Sequence, residues 1–364
     1  MGLIEFLCLR SSNVPLIIIL LSLWGEKGMD GVEIREICLS LRWERESLSQ
    51  FLSAHGLRLE PDVECAFGLY QEDTLSGCGC ACGPLLKCFA IDAPLQGQNG
   101  LGLLLSSLTQ DRFQKGYFNL FVYTRPHNAA MFSRCGYTVV GQTDCVVLLE
   151  SDHNGLDSYL AGIPRPVKRL DRIGAAVMNC NPFTLGHQYL IQQASSQCDL
   201  LYIFVVEEDR SFFPFLDRLS LVQEGVRHLP NVLVCPGGQY MISSQTFPAY
   251  FLKDTECASD LQSELDITIF GERIAPALDI QVRFAGQEPL DSVTRQYNKT
   301  MTHLLQRYGI SFVEFPRIMS GGEPISASRV RKLLGEHGCV TPELSSLVPT
   351  CTRDYLLRRF GSTR

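Results

Sequence analysis

The sequence lacks an excess of basic residues. Its 364 residues include 32 Lys and Arg against 39 Asp and Glu, which gives a formal net charge of −7 and an isoelectric point near 5.6. Proteins that bind polyphosphate backbones usually carry a basic surface. The composition therefore predicts no nucleic-acid partner.

The sequence also lacks an apolar run long enough to span a membrane. Its most apolar stretch, residues 14–24, is shorter than the roughly 20 residues that a membrane helix needs, and no small-residue cleavage site follows it. We therefore interpret residues 1–32 as a variable apolar N-terminal extension. A start at Met29 is a hypothesis that would leave residues 1–28 out of the native chain, and a signal or anchor is the alternative.

The 15 cysteines lack the spacing of a zinc site. Cys78, Cys80 and Cys82 alternate along a predicted strand, whereas zinc knuckles separate their thiolates by about two to four residues and need a second pair. We interpret them as small strand residues, with metal or redox chemistry as the alternative. Scattered cysteines in a long chain without a clear secretion signal are typical of proteins whose thiols stay reduced, so we expect a cytoplasmic protein.

Residues 33–150 combine short β-prone runs with amphipathic helices, and a Gly-rich turn, "LQGQNGLG", precedes one of these helices. This order resembles the N-acetyltransferase (GNAT) fold, in which such a turn holds the pyrophosphate of acetyl-CoA at a helix start. Gln96 lies one position out of the family register with Gly100 and Gly102. Acyl-CoA binding and a fold retained for docking or packing therefore both stay open.

A linker is predicted at residues 151–172, because its stretch "GIPRPVKRLDR" contains two prolines and four basic residues. Prolines resist helix formation, and charged linkers are usually extended and solvated. Lys168 and Arg169 are accordingly either solvated or close enough to a phosphate site to contact a ligand.

A βαβ unit is predicted after the linker. The run "IGAAVM" at 173–178 is apolar throughout, as in a parallel strand buried on both faces. Residues 179–183 turn the chain, and a helical pattern follows. Thr184 and His187 project from one side of its first turn, where free N–H groups and the positive end of the helix dipole favour an anion. Gly186 would let a bulky ligand approach the backbone.

A second helix start with anion-binding character lies in "EPISASRVRKLL". Ser326 suits an N-cap position, Ser328 lies two residues later, and Arg331 stands one turn further along. Two hydroxyls, backbone donors and an arginine at one helix start predict a second phosphate-binding site.

Together these motifs resemble the signatures of the nucleotidylyltransferase superfamily. The first signature is Thr or His, any residue, Gly, His, and the second is Ile-Ser-Ser-Thr, then two residues of any type, then Arg. Ala327 stands in place of one family serine. The segments "MNCNPFTLGHQYL", "FPFLDRLSLVQEGVRHLPNV", "SSQTFPAYFLK", "GERIAPAL", "VTRQYN" and "ISASRVR" are similar to the citrate lyase ligase family, and the resemblance covers about residues 33–345.

The resemblance implies an α/β chain of two domains. A Rossmann-like nucleotidylyltransferase domain, with a parallel sheet and helices on both faces, would occupy residues 173–345. A smaller GNAT-like α/β domain would precede it at 33–150, and residues 346–364 would form a C-terminal tail.

The resemblance further implies an AMP-forming ligase. Such an enzyme makes acetyl-adenylate from ATP and acetate, and then acetylates the phosphoribosyl-dephospho-CoA thiol of the citrate lyase acyl carrier (gamma) subunit. ATP is a substrate, Mg²⁺ is expected with it, no tightly bound cofactor is expected, and the metal ligands are unknown. Residues assigned to nucleotide binding are Asn179, Asn181, Pro182, Phe183, Thr184, Gly186, His187, Ser326, Ser328 and Arg331. Residues assigned to catalysis are His187, Thr184, Arg331 and Lys253.

Several alternatives remain at this point. Arg218, like Lys253, either adds positive charge to the site or is a solvated helix residue. An adenylyltransferase of the same fold would build a dinucleotide cofactor from ATP and a phosphomonoester. An acyl-CoA-dependent acetyltransferase with a nucleotide-binding module would bind ATP without cleaving it, and a scaffold would catalyse nothing.

Overall fold

The computed structural model describes residues 31–207, 211–241, 247–248, 250–251, 256–288 and 291–362. The apolar run at 14–24, Met29 and Lys253 lie outside these residues. The chain divides into two compact units. The first comprises the residues up to Val139 together with Leu149–His153, and the second comprises Val140–Leu148 together with the chain from Asn154 onward.

The first half of the chain forms a seven-stranded sheet with the order β1-β2-β3-β4-β5-β7-β6. Its first four strands pair antiparallel, whereas β4 and β5 pair parallel. The strands are β1 (Val32–Glu36), β2 (Cys65–Gln71), β3 (Thr74–Cys82), β4 (Leu85–Ile91), β5 (Phe121–Thr124), β6 (Thr138–Gln142) and β7 (Val147–Glu150). The helices are α1 (Arg42–Ala54), α2 (Gly100–Gln114) and α3 (Pro126–Arg134).

Two of the three cysteines of β3 pack as small core residues, and Cys82 is partly exposed. Cys78 and Cys80 are fully buried. Burial raises the pKa of Cys78, and contact with Cys88 together with burial raises that of Cys80, so both thiols stay protonated. The thirteen cysteines whose side chains the structure describes are free, and no group of three or more His, Cys, Asp or Glu in the described ranges could hold a metal ion.

The Gly-rich turn leads into α2 as the sequence pattern predicts. Asn99, in the left-handed region at φ 68°, precedes the first helical residue, Gly100. The Gln96 side chain donates to the carbonyl oxygen of Ile91 at 2.9 Å. Gln96 thus contacts the end of β4, within its own unit.

The second half of the chain contains a five-stranded sheet with the order β10-β9-β8-β11-β12. All its neighbouring strands pair parallel. The strands are β8 (Ile173–Met178), β9 (Leu200–Val205), β10 (Val232–Pro236), β11 (Val282–Gly286) and β12 (Ser311–Phe315). A short hairpin follows, formed by β13 (Met319–Ser320) and β14 (Glu323–Pro324).

Helices connect the parallel strands and cover the sheet. They are α4 (Gly155–Gly162), α5 (Leu185–Ser195), α6 (Phe215–Val226), α7 (Glu256–Ile269), α8 (Ala275–Ala277), α9 (Ser292–Leu304), α10 (Ala327–His337), α11 (Pro342–Ser345) and α12 (Thr350–Phe360). A π-helical turn at Phe270–Ile274 joins α7 to α8. No helix in the described ranges is long and apolar enough to cross a membrane.

Two clusters form the core of the second unit. The first lies between the sheet and α5 and α6, and includes Phe183, Ile191, Val205 and Phe284. The second packs α10 against the C-terminal helices and includes Leu356. Strands β8 and β9 are buried over nearly their whole length, which explains their uninterrupted apolar sequence.

The predicted fold class, a parallel α/β sheet preceded by a second α/β region, is confirmed. The predicted linker range, 151–172, contains helix α4. The predicted tail, 346–364, contains α12, whose Leu356 is fully buried, so this segment packs as part of the second unit.

Candidate active site

A cavity of about 380 Å³ lies where the winding of the five-stranded sheet changes direction. From β8 the chain proceeds to β9 and β10 on one side, and β11 and β12 lie on the other. The carboxyl ends of β8 and β11, the start of α5, and side chains of α7 and α9 line the cavity. Open α/β sheets bind ligands at such a switch point, and the volume is within the range of small-molecule sites.

His187 is held at the start of α5 by a reciprocal cap with Thr184. The Thr184 hydroxyl accepts from the His187 backbone N–H at 3.4 Å, and the Thr184 backbone N–H donates to His187 Nδ1 at 3.1 Å. A backbone N–H can only donate, so Nδ1 is unprotonated in this geometry and the neutral ring carries its hydrogen on Nε2. The cap therefore determines the tautomer.

The protein environment keeps His187 neutral. Burial, with a smaller contribution from the positive charge of Arg317, lowers the pKa of His187 from 6.5 to about 4. The Phe183 ring stacks on the imidazole, with centroids 6.1 Å apart and planes inclined by 12°. At neutral pH the site therefore offers an oriented N–H donor that is not a cation.

Two first-turn N–H groups of α5 have partners within the protein. The Leu185 N–H donates to the carbonyl oxygen of Leu347 at 3.0 Å, and that of His187 donates to Thr184. The helix start is thus less open than the sequence predicts, which increases the importance of the His187 side chain as a donor.

Arg218 organises the loop between β8 and α5. Its side chain is fully buried, and its guanidinium donates to the Asn179 carbonyl at 2.6 Å, the Asn179 side chain at 2.8 Å and the Val206 carbonyl at 2.9 Å. Of the two alternatives for this arginine, the structure excludes the solvated helix residue. Its positive charge lies directly against the loop that carries Asn179.

The other predicted loop residues make contacts within the protein. The Asn181 side chain accepts from the Phe213 N–H at 3.0 Å. Pro182 follows a cis peptide bond and is buried. Phe183 is fully buried in the core and contacts the His187 ring. These three residues shape the loop and support the histidine.

The second motif lies directly against the first. Arg331 donates to the carbonyl oxygen of Asn181 and, at 3.3 Å, to the Ser328 hydroxyl. Ser326 caps α10 by accepting from the Arg329 N–H at 3.2 Å. The structure thus brings together two helix starts that are far apart in the sequence.

Gly186 lies directly against the second motif. A Cβ at this position would lie 2.9 Å from the carbonyl oxygen of Ile325. The backbone of the second motif takes up the space that a Cβ would need, while Gly186 also lines the cavity. Gly186 therefore permits the close approach of the two motifs.

The predicted residues differ in their relation to the cavity. Asn179, Thr184, Gly186 and His187 line it, together with Ile325. The lining does not include Ser326, Ser328 or Arg331, which belong to the adjoining start of α10. Lys253 lies outside the described residues. The linker residues Lys168 and Arg169 are exposed and belong to no part of the lining.

Sequence reasoning missed a group of charged and polar residues that line the same cavity. They are Asp266, Arg283, Glu288, Tyr297 and Arg317. Arg317 forms an ion pair with Glu288. The sequence did contain a signal for one of them. Arg283 interrupts the otherwise apolar strand sequence "VRFAG", and a charged residue in a buried strand is almost always paired with another group.

Comparisons with known proteins agree with this geometry. Residues 173–356 match the family model described as the citrate lyase ligase C-terminal domain. A citrate pro-3S-lyase ligase from Klebsiella pneumoniae is 43% identical over 320 residues, covering 86% of this chain and 93% of the relative. One from Escherichia coli strain K12 is 38% identical over 316 residues, covering 85% of this chain and 89% of the relative.

A shorter match relates part of the chain to an adenylyltransferase. A phosphopantetheine adenylyltransferase from Streptococcus gordonii is 32% identical over 114 residues, covering 30% of this chain and 70% of that protein. The family model and the full-length relatives each cover a longer part of the chain. On that evidence, the chain belongs to the citrate lyase ligase family of enzymes.

Proposed function

We propose that this chain activates citrate lyase by ATP-dependent acetylation. In the first step, an acetate oxygen attacks the α-phosphorus of ATP, forming acetyl-adenylate as pyrophosphate leaves. In the second, the thiol of the phosphoribosyl-dephospho-CoA group on the acyl carrier (gamma) subunit attacks the acetyl carbonyl. The thiol loses its proton, AMP leaves, and a thioester remains.

The observation that carries the proposal is the oriented N–H donor of His187 in the switch-point cavity. Acetate is ionised at neutral pH and needs no general base to attack phosphorus. What the first step requires is in-line positioning and donors for the charge that develops on the phosphate oxygens. A neutral imidazole with Nδ1 already occupied supplies Nε2–H for that purpose.

The remaining groups would position the nucleotide. Arg218 places positive charge beneath Asn179, which lines the cavity. Arg331 and the capped start of α10 adjoin the same loop. ATP would enter as its Mg²⁺ complex, in which phosphates and water supply most of the metal ligands.

The cellular setting follows from the same proposal. The free cysteines of the described ranges and the intracellular substrates ATP and carrier thiol fit a reducing cytoplasm. Neither a nucleic-acid partner nor a membrane span forms part of the proposed function.

The proposal is tested by incubating the full chain with ATP, Mg²⁺, acetate and deacetylated citrate lyase. We expect free AMP and restored lyase activity to appear together, and both should require acetate. The related adenylyltransferase reaction, which the match to phosphopantetheine adenylyltransferase makes the second candidate, would instead retain AMP within a stable product. ATP that binds without being cleaved would contradict both.

A further inference from the structure

Arg283 is a buried cation in the cavity that the motifs do not explain. It lies in β11 with its backbone beside Ala175 of β8 and Phe312 of β12. Its side chain is 2% exposed and lines the same cavity as His187. A guanidinium is effectively always charged, so its burial requires hydrogen-bond acceptors.

One arm of this guanidinium is fixed by the protein. Nη2 donates to the Tyr297 hydroxyl at 3.2 Å, and that hydroxyl donates to the buried carboxylate of Asp266. Asp266 itself lies 3.9 Å from Nη2. The Arg283 guanidinium also lies over the Phe270 ring, 4.0 Å from its centroid. The side chain is therefore held in one orientation by contacts on two sides.

The other arm has an unused donor. Among the described residues, Arg283 Nη1 is a buried side-chain nitrogen without a hydrogen-bond partner. An unpaired buried donor on a charged group is costly and calls for an explanation. Nη1 itself has almost no exposed surface, but Arg283 lines the cavity, so an anionic ligand that draws this arm slightly toward the cavity can supply the missing acceptor.

We propose that Arg283 Nη1 binds the carboxylate of acetate, a role that rests on the proposed function. One carboxylate oxygen would accept from Nη1, leaving the other oxygen to attack the α-phosphorus. Charge-assisted hydrogen bonds between arginine and carboxylate are short and directional. Arg283 would thus set the orientation of the nucleophile, while His187 contacts the phosphate.

The lining of the cavity suits a small acyl group. Met301 lies one turn beyond Tyr297 on the same face of α9, and both residues line the cavity. Met301 is 2% exposed, as expected of an apolar wall. A cavity lined by both a buried arginine and apolar side chains matches the two ends of acetate, a carboxylate and a methyl group.

The test is acetate-dependent exchange of labelled pyrophosphate into ATP, with the full chain at saturating MgATP. For Arg283→Gln we expect the KM for acetate to rise about 10- to 100-fold, the loss of one charge-assisted hydrogen bond. The KM for ATP should change less than about twofold. Arg273→Gln is the matched control, because Arg273 is a partly exposed arginine paired with Asp157 at 3.1 Å, and it should leave both constants unchanged.

Two further variants guard against loss of folding. Arg283→Lys keeps the charge but not the planar fork, and should raise the KM for acetate less than Arg283→Gln does. Tyr297→Phe keeps Arg283 but removes the hydroxyl that accepts from its Nη2, and this change should also raise the KM for acetate. Should Arg283→Gln fail to fold, an unchanged KM for acetate in Arg283→Lys overturns the proposal.

The outcomes separate this proposal from the proposed function. Absence of acetate-dependent exchange in the unaltered protein contradicts the function itself. If the unaltered protein exchanges and folded Arg283→Gln has a normal KM for acetate, the acetate role is wrong. A rise in the KM for ATP alone would assign Arg283 to the nucleotide and equally overturn the proposal.

Discussion

Replacing His187 by asparagine separates the two functions of this side chain. The ring has one nitrogen, Nδ1, that accepts from the Thr184 backbone N–H at 3.1 Å, and a second, Nε2, that is the proposed donor to phosphate. An asparagine oxygen lies near the position of Nδ1 and can keep the first contact. It has no donor near the position of Nε2, so the proposed contact to phosphate is lost.

His187→Asn should slow pyrophosphate exchange strongly and change the stability of the fold little. Loss of one donor to the developing charge of a transition state costs about 10²- to 10³-fold in rate. The helix start should be almost unaffected, because the Thr184 hydroxyl still accepts from the backbone N–H of residue 187. Loss of a cap contact typically costs about 1 kcal/mol, so His187→Asn should change the free energy of unfolding by less than that.

His187→Gln is the reciprocal variant, since its longer side chain places an N–H donor near the position of Nε2 but leaves the Thr184 N–H without its acceptor. It should retain more exchange activity than His187→Asn and lose about 1 kcal/mol of stability. Pyrophosphate exchange and urea unfolding measure the two quantities. His228→Ala is the control, because His228 is exposed and should affect neither. If well-folded His187→Asn exchanged pyrophosphate at the rate of the unaltered protein, the donor role of His187 would be wrong.

Three further predictions follow from the described geometry. Gly186→Ala should lower the free energy of unfolding by about 1 to 3 kcal/mol in urea, because the new Cβ would lie 2.9 Å from the Ile325 backbone oxygen. Gly335→Ala is the control: this residue lies in open space on α10, and the change should raise the free energy of unfolding by about 0.5 to 1 kcal/mol. Equal effects of the two changes would contradict the close approach of the two motifs. The pKa of His187 is about 4 in the folded chain, against an ordinary value of 6.5, so the imidazole takes up a proton in the unfolded chain first as the pH falls. The free energy of unfolding should therefore decrease by roughly 3 kcal/mol between about pH 6.5 and pH 4. Unfolding curves of His187→Asn across this range should lack this decrease. Propionate should have a kcat/KM about 10- to 100-fold below that of acetate, as one extra methylene in a closed pocket implies, and equal values would exclude a small acyl pocket.

The sequence predicts those parts of the site that are local in the chain. Thr184 with His187, and Ser326 with Arg331, are each separated by one or two helical turns, so capping rules and motif spacing suffice to place them. The buried strands around them follow from apolar runs with little polar interruption.

The rest of the site depends on tertiary contacts that no local pattern contains. Arg283, Tyr297 and Asp266 come from a strand and two helices, and only the folded chain shows that they meet. The purpose of Gly186 could not be predicted for the same reason, since its neighbour Ile325 is remote in sequence. Motif spacing also gave no indication that Arg218 is buried.

The contact between the two motifs has a consequence for how the enzyme matures. Arg331 and Asn181 are 150 residues apart in the chain, and closing a loop of that length is entropically costly and slow compared with forming a helix. During refolding, α5 and its cap can form early, with the His187 tautomer already set, while the nucleotide site is still incomplete. We expect ATP binding to return only with the last long-range contacts, later than the far-ultraviolet dichroism signal of the helices, and simultaneous recovery would contradict this order of assembly.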